Sequence, residues 1–182
     1  ADGNNGGAII DTQLQRYCSI CHLSIHLTNY TSLLYLIDCL SNIQYLDVEL
    51  LFNDDTTTRS DIYDYSQLSI KVPYLTYLKL FINGFRVNLT EIELFVKNIF
   101  SLKRLVLKVY NHLTSINSNR LKYRLGLQTM LTHLNDIYLI LDAKGTNATE
   151  SLATFQNDTF WENKTVEYVQ AHYSNYFLIK SS

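Results

Sequence analysis

Two cysteines and two histidines lie close together near the start of the chain, in the segment RYCSICHLSIHL from Arg16 to Leu27. The segment contains C-x-x-C-H, from Cys18 to His22, which is the spacing that attaches c-type haem. It also contains H-x-x-x-H, from His22 to His26, and these side chains are of the types that bind zinc. Cys18 and Cys21 have the spacing of a thiol redox pair. The segment therefore raises three chemical hypotheses: haem, zinc and redox chemistry.

Each of these hypotheses lacks a second part of its site. Haem needs a second axial ligand in an apolar pocket, and the chain has a single methionine, Met130. A zinc finger separates its cysteine pair from its histidine pair by about a dozen residues, whereas Cys21 and His22 are adjacent. A thioredoxin-like pair lies where a strand meets a helix, and this pair leads into an alternating pattern that predicts a strand. We predict no metal and no cofactor; metal or haem binding through Cys18, Cys21 and His22 is the alternative.

The composition is that of a folded globular chain. Hydrophobic residues make up 47% and charged residues 18% of the 182 residues. The net charge of −2 gives no reason to expect nucleic acid or an acidic membrane as a partner, and no apolar run approaches the ~18 residues of a membrane span. Because three of the six glycines lie in ADGNNGG at the start, residues 1–17 are predicted to be a flexible tail or linker.

Cysteine number and glycosylation sequons bear on the compartment. The chain has three cysteines, an odd number that does not fit a disulfide-built secreted scaffold. Its N-x-T sequons begin at Asn29, Asn88, Asn147, Asn157 and Asn163. Chance alone gives about three sequons in a chain so rich in Asn, Ser and Thr. We therefore expect a cytoplasmic or nuclear protein, with a secreted, N-glycosylated recognition domain as the alternative.

A repeated apolar pattern organises the rest of the chain. The pattern apolar-x-x-apolar-x-apolar begins at Ile20, Ile43, Leu75, Leu102 and Leu134, with a degraded copy at Val166. The steps between copies are 23, 32, 27, 32 and 32 residues, in the range of stacked repeat units. A further apolar or aromatic residue two positions after each triplet extends the alternation, which predicts a β-strand in every copy.

The segments between the copies have the patterns of helices. Thr90 and Glu93 fit a capping box, and Ile92, Phe95, Val96 and Ile99 form an apolar stripe. Shorter patterns predict helices after Thr31, after Ser118 and between Thr149 and Phe160, and a helical turn between Ile62 and Leu68. Repetition of strand and helix, with every strand pointing one way, predicts an α/β fold with a parallel sheet and helices on one face.

The segment LTYLKLFINGF, from Leu75 to Phe85, carries a family resemblance. It matches L-x-x-L-x-L-x-x-N-x-L almost completely, so the chain resembles a divergent leucine-rich-repeat protein, with Asn83 at the position where the family's Asn bonds backbone groups after the strand. Long repeats and the segment from Phe160 to Ile179 are also similar to the repeat region of F-box proteins. The resemblance implies a leucine-rich-repeat solenoid (horseshoe) with a parallel concave sheet and outer helices. It implies one domain over residues 18–182, with about six irregular repeats and 160–182 as the C-terminal repeat or cap.

Residues that point away from the predicted core are the candidate binding residues. We predict a protein-binding module that uses the concave face, through Tyr45, Asp47, Glu49, Tyr77, Lys79, Phe81, Arg104, Lys108, Asp136, Tyr138 and Tyr168. Tyr and Arg are enriched at interface hot spots, and mixed charge suits a specific protein partner better than a polyanion. The alternative is ordinary sheet surface, where cross-strand packing also favours aromatic residues.

The sequence contains no catalytic motif of the G-x-S-x-G, H-E-x-x-H or phosphate-loop type, so we predict that the protein is not an enzyme. The F-box resemblance implies that the repeats hold the substrate of a ubiquitin ligase. The ligase adaptor would then be bound through a helical module that we do not find in this chain.

Overall fold

A computed structural model of the chain describes residues 19–51, 63–83, 89–110, 134–142, 148–157, 162, 164–170 and 175–181. The strands are β1 (His22–Leu27), β2 (Tyr45–Leu51), β3 (Tyr77–Asn83), β4 (Arg104–Tyr110), β5 (Asp136–Asp142), β6 (Lys164–Gln170) and β7 (Asn175–Ser181). The helices are α1 (Tyr30–Cys39), α2 (Leu68–Lys71), α3 (Leu89–Lys97) and α4 (Ala148–Gln156), and a 3-10 turn, Tyr65–Gln67, precedes α2.

The strands form one seven-stranded sheet in the order β1-β2-β3-β4-β5-β7-β6. Neighbours from β1 to β5 are parallel, whereas β7 is antiparallel to both β5 and β6. The predicted α/β class is therefore confirmed, and the prediction that every strand points one way is wrong. Only residues 171–174 separate β6 from β7, and so short a connection joins antiparallel strands but cannot make a parallel crossover.

The predicted core-facing residues of the first five strands lie in register. Leu46 is paired with Leu78, Leu78 with Leu105 and Leu105 with Ile137. The next two core-facing positions along each strand form similar rows, and from β2 to β5 every member is at most 2% exposed. Side chains on one face recur every second residue, so the alternation in the sequence placed these rows correctly. The corresponding residues of β1 are only partly buried, because β1 is an edge strand.

The helices cover the face of the sheet on which these rows lie. Leu33 and Ile37 of α1, and Phe95 of α3, are fully buried in the same hydrophobic cluster as the strand residues. The amphipathic spacing that predicted α1 and α3 is thus confirmed. α3 begins at Leu89, so Thr90 lies inside the helix and not at its cap. The helix predicted after Ser118 falls outside the described residues.

Neighbouring parallel strands begin with the same backbone arrangement. One carbonyl oxygen accepts hydrogen bonds from two successive N–H groups of the next unit. The accepting carbonyls belong to Cys21, Gln44, Thr76 and Lys103, and the donors lie at residues 44–45, 76–77, 103–104 and 135–136. The five strands therefore start level with one another, and equivalent side chains become direct neighbours.

The C-terminal hairpin of β6 and β7 forms the other edge of the sheet. Phe177 pairs with Leu141 and Ile179 with Leu139, so β7 extends the buried rows of the parallel strands. β6 lies outermost and carries the charged residues Lys164 and Glu167, as suits an edge strand. In the described part of the chain no helix combines the length and the apolar character needed to cross a membrane.

Candidate binding face

The side of the sheet opposite the buried rows is the candidate binding surface, and we call it the open face. Its main part consists of three rows that cross β1 to β5 in register. The rows are His22, Tyr45, Tyr77, Arg104 and Asp136; then Ser24, Asp47, Lys79, Val106 and Tyr138; then His26, Glu49, Phe81, Lys108 and Ile140. All the predicted binding residues except Tyr168 lie on the open face. The buried side chains of the described helices belong to the cluster on the other side.

Two tyrosines stack at the centre of the first row. The rings of Tyr45 and Tyr77 have centroids 4.2 Å apart and planes inclined by 8°, while His22 meets Tyr45 edge-on at 5.8 Å. Strands in a sheet lie about 4.8 Å apart, so paired residues on β2 and β3 are at stacking distance. Desolvation by burial raises the pKa of the Tyr77 phenol above its ordinary value.

A cation lies beside the stacked tyrosines. The Arg104 guanidinium carbon is 5.7 Å from the ring centroid of Tyr77 and 5.4 Å from that of Tyr138. Both distances are within the ~6 Å range of a cation–π interaction. The aromatic residues of β2, β3 and β5 and the arginine of β4 therefore form one continuous surface.

The carboxylates of β2 have basic side chains as neighbours on both adjacent strands. Asp47 Oδ2 accepts a hydrogen bond from Lys79 Nζ at 2.7 Å, and Glu49 Oε2 lies 3.1 Å from Nδ1 of His26. The hydrogen bond to Asp47 raises the pKa of Lys79. The Asp47–Lys79 pair is thus a charged hydrogen bond between adjacent strands.

The cations of β4 have weaker partners. Arg104 Nε is 3.9 Å from Asp136 Oδ2, beyond hydrogen-bond distance, and both side chains are almost half exposed, at 47% and 44%. Lys108 Nζ lies 5.1 Å from the ring centroid of Phe81 and 4.8 Å from that of Tyr110. Within the described residues Lys108 has no carboxylate in ion-pair range. The open face is consequently more positive over β4 than over β2.

Tyr168 lies on the opposite face, and its predicted position on the open face is wrong. It pairs with the buried Phe177, with ring centroids 5.3 Å apart, and packs against the hydrophobic cluster together with Val166. The predicted alternation of the last copy placed Val169 inward and is therefore out of phase by one residue. The sequence offered a regular apolar triplet for the first five copies but only a degraded one here.

The cysteines and histidines of the opening segment are dispersed. His22 and His26 are exposed on β1, and each contacts a different residue of β2. Cys21 precedes the strand, and its Sγ donates to the Ser19 carbonyl at 3.6 Å. Cys18 lies outside the described residues. Among the residues with assigned positions, no three His, Cys, Asp or Glu side chains are grouped to hold a metal.

The open face contains residues that the sequence analysis did not identify. Tyr110 meets Phe81 edge-on at 5.2 Å, and the C-terminal β7 adds Leu178 beside Ile140 and Lys180 beside Tyr138. A signal for β7 was present in the alternation of Phe177 and Ile179 with Leu178 and Lys180. Its place beside β5 had no local signal, because it depends on pairing between distant residues.

Two of the five sequon asparagines lie in described residues. Asn29 caps α1, where its Oδ1 accepts hydrogen bonds from the Ser32 N–H at 2.8 Å and from the Ser32 hydroxyl at 2.9 Å. Asn157 follows α4 and is exposed. Asn88, Asn147 and Asn163 lie outside the described residues, and glycosylation stays a prediction.

Comparison of the chain with models of known protein families, with curated proteins and with solved structures finds no match in any of the three.

Proposed function

We propose that this chain is a non-enzymatic protein-binding module whose binding surface is the open face. The observation that carries the proposal is the stacked pair Tyr45 and Tyr77 with Arg104 alongside, on the side of the sheet away from the described helices. Tyr and Arg are the residue types that most often dominate binding energy at protein interfaces. Tyr45, Tyr77 and Arg104 adjoin one another within a mixed-charge surface, as hot-spot residues do when polar residues surround them.

Apolar side chains on the same face favour binding over an ordinary solvated sheet. Phe81, Val106 and Ile140 lie at neighbouring positions of the second and third rows and are half-buried. Covering such side chains with a partner contributes roughly 25 cal/mol per Å² of apolar area removed from water. The proposed interface therefore has both an apolar source of affinity and charged residues for specificity.

We also propose that the units stack as leucine-rich repeats, with the open face as the concave side of a horseshoe. Two observations support this: the leucine rows run in register from β2 to β4, and the same two-donor hydrogen bond recurs at the start of successive strands. A stack of similar units contacts mainly its neighbours, as these strands do. In this proposal the antiparallel hairpin of β6 and β7 is the C-terminal cap.

The proposal is tested with an identified partner and two matched triple variants. A partner is first isolated by affinity purification and mass spectrometry and then titrated by calorimetry. Changing Tyr77, Arg104 and Tyr138 together to Ala should weaken binding about thirtyfold or more, equivalent to ~2 kcal/mol. The control changes Tyr35, Tyr74 and Lys97 to Ala, which are also two tyrosines and one cation, all exposed, but away from the open face. Unchanged affinity in the first variant, with native circular dichroism, would show that the open face does not bind.

A further inference from the structure

We infer that the open face binds an extended, acidic protein segment that runs along β4 and places carboxylates against Arg104 and Lys108. This inference rests on the proposed function and adds the chemistry of the partner. It comes from the uneven neutralisation of charge across the face.

The carboxylates of β2 are already engaged within the protein. Lys79 forms a 2.7 Å hydrogen bond to Asp47, and His26 lies 3.1 Å from Glu49. A cationic partner group placed here would have to compete with these existing neighbours. The acidic side of the face is therefore not its strongest site for a charged partner.

The Arg104 guanidinium can donate hydrogen bonds to a partner. Its guanidinium carries five N–H groups in a planar fork, and its closest carboxylate contact, from Nε to Asp136, is 3.9 Å long. The flanking rings of Tyr77 and Tyr138 lie 5.7 and 5.4 Å away and hold the group in place without accepting strong hydrogen bonds. A partner carboxylate can bind such a fork through two parallel hydrogen bonds.

Lys108 provides a second cation on the same strand. Its Nζ lies beside the adjoining rings of Phe81 and Tyr110, and none of the residues with assigned positions gives it a carboxylate. The residue as a whole is half-buried, with the two rings close to its ammonium group. An added carboxylate is worth more at such a position than on a fully hydrated surface.

The spacing of the two cations favours a partner segment in an extended conformation. Lys108 is four positions after Arg104 along β4, which corresponds to about 13 Å in an extended strand. Acidic residues four positions apart in an extended segment have the same separation, and Val106 lies between the cations opposite an apolar residue of that segment. Asp136 lies beside Arg104 on β5, and Asp47 and Glu49 lie on β2, on the far side of β3, so a continuous polyanion such as nucleic acid is disfavoured.

The test uses selection from displayed short random peptides against the complete chain. Peptides enriched by the wild-type protein should carry Asp or Glu four positions apart. Changing those residues to Asn or Gln, or changing Arg104 and Lys108 together to Gln, should weaken binding about tenfold, and added salt should weaken it further. Lys97→Gln is the control, because this exposed lysine lies on α3, on the helical side.

Charge reversal separates recognition from a structural effect. The double variant Arg104→Glu and Lys108→Glu should instead enrich peptides with Lys or Arg at the two positions, which damage to the fold would not produce. Selection could instead return neutral or basic peptides whose affinity falls when Tyr45 and Tyr77 are changed to Ala. That result would overturn the inference of an acidic partner and leave the proposed function standing. Failure to enrich any peptide, or equal loss with Lys97→Gln, counts against both.

Discussion

The open face is organised at the level of single residues by contacts between adjacent strands. Lys79 and Asp47 face each other in register, and their hydrogen bond of 2.7 Å joins β3 to β2. The side chains are 41% and 20% exposed, so solvent screens much of the attraction. The pair contributes modestly to stability and chiefly fixes where the lysine points.

Replacing Lys79 with Gln should lower the free energy of unfolding at pH 7 by about 0.2–1 kcal/mol. Because Asp47 raises the pKa of Lys79 above its ordinary 10.5, this contribution is complete below that pH and is lost as the pH rises through the higher pKa of the folded protein. Urea unfolding of both proteins across this range measures the difference. The exposed Lys103, changed to Gln, is the control; a difference that does not decline at high pH would contradict the assignment.

At the scale of elements, local signals and long-range packing have separate roles. α1 has its own start signal in Asn29, and its buried stripe then docks it on the sheet. The sequence of β7 carries little local signal apart from its alternation. Its position in the sheet depends on Phe177 and Ile179 packing beside Leu141 and Leu139. We therefore expect the stability of α1 to depend on its cap residue, and that of β7 to depend on its buried residues.

Asn29→Ala should therefore destabilise the protein by about 1 kcal/mol, since two donors at the start of α1 lose their acceptor. Asn29→Asp should restore most of the loss, because a carboxylate accepts the same hydrogen bonds. Thermal unfolding followed by circular dichroism gives the comparison. Asn157→Ala, at an exposed position after α4, should change stability little; equal effects at both sites would remove the capping explanation.

Phe177→Ala should lower the free energy of unfolding by roughly 3–5 kcal/mol, because the ring is fully buried. Its centroid lies 5.8 Å from that of the Phe155 ring and 5.3 Å from that of the Tyr168 ring. Leu178→Ala, one residue along and on the open face, should cost much less. Chemical denaturation of the two variants distinguishes the faces of β7. A larger loss for Leu178 would mean that the strand is turned the other way.

The whole molecule has a continuous hydrophobic cluster in its described residues, from α1 through the parallel strands to Phe177 and Ile179 of β7. Joining the hairpin to the parallel strands in one sheet extends the cooperative unit to the C-terminal region.

We expect a single unfolding transition in urea. Far-ultraviolet circular dichroism, which reports secondary structure, and near-ultraviolet signals from the tyrosines should give the same midpoint. Two transitions, or midpoints that differ between the two signals, would indicate that the hairpin or one end of the sheet unfolds separately.

Much of the candidate site could be predicted because it follows from alternation on the parallel strands. Tyr45, Tyr77 and Arg104 were placed on one face by the same pattern that buries Leu46, Leu78 and Leu105. Tyr168 was misplaced because the last copy has no clear triplet. The contacts between side chains within the face, such as Lys108 beside the rings of Phe81 and Tyr110, could not be predicted, because they depend on side-chain positions across strands.

By itself, the sequence determined which residues of the first five strands point toward the core and which helical stripes pack on them. Both are local properties, set by the two-residue period of a strand and the 3.6-residue period of a helix. Only the tertiary structure decided that β7 lies between β5 and β6, that Tyr168 is turned inward, and that Arg104 lies between two tyrosines. These outcomes depend on contacts between residues far apart in the chain. β7 pairs with β5, although β6 comes before it in the sequence, and this position buries Phe177 and Ile179 beside Leu141 and Leu139.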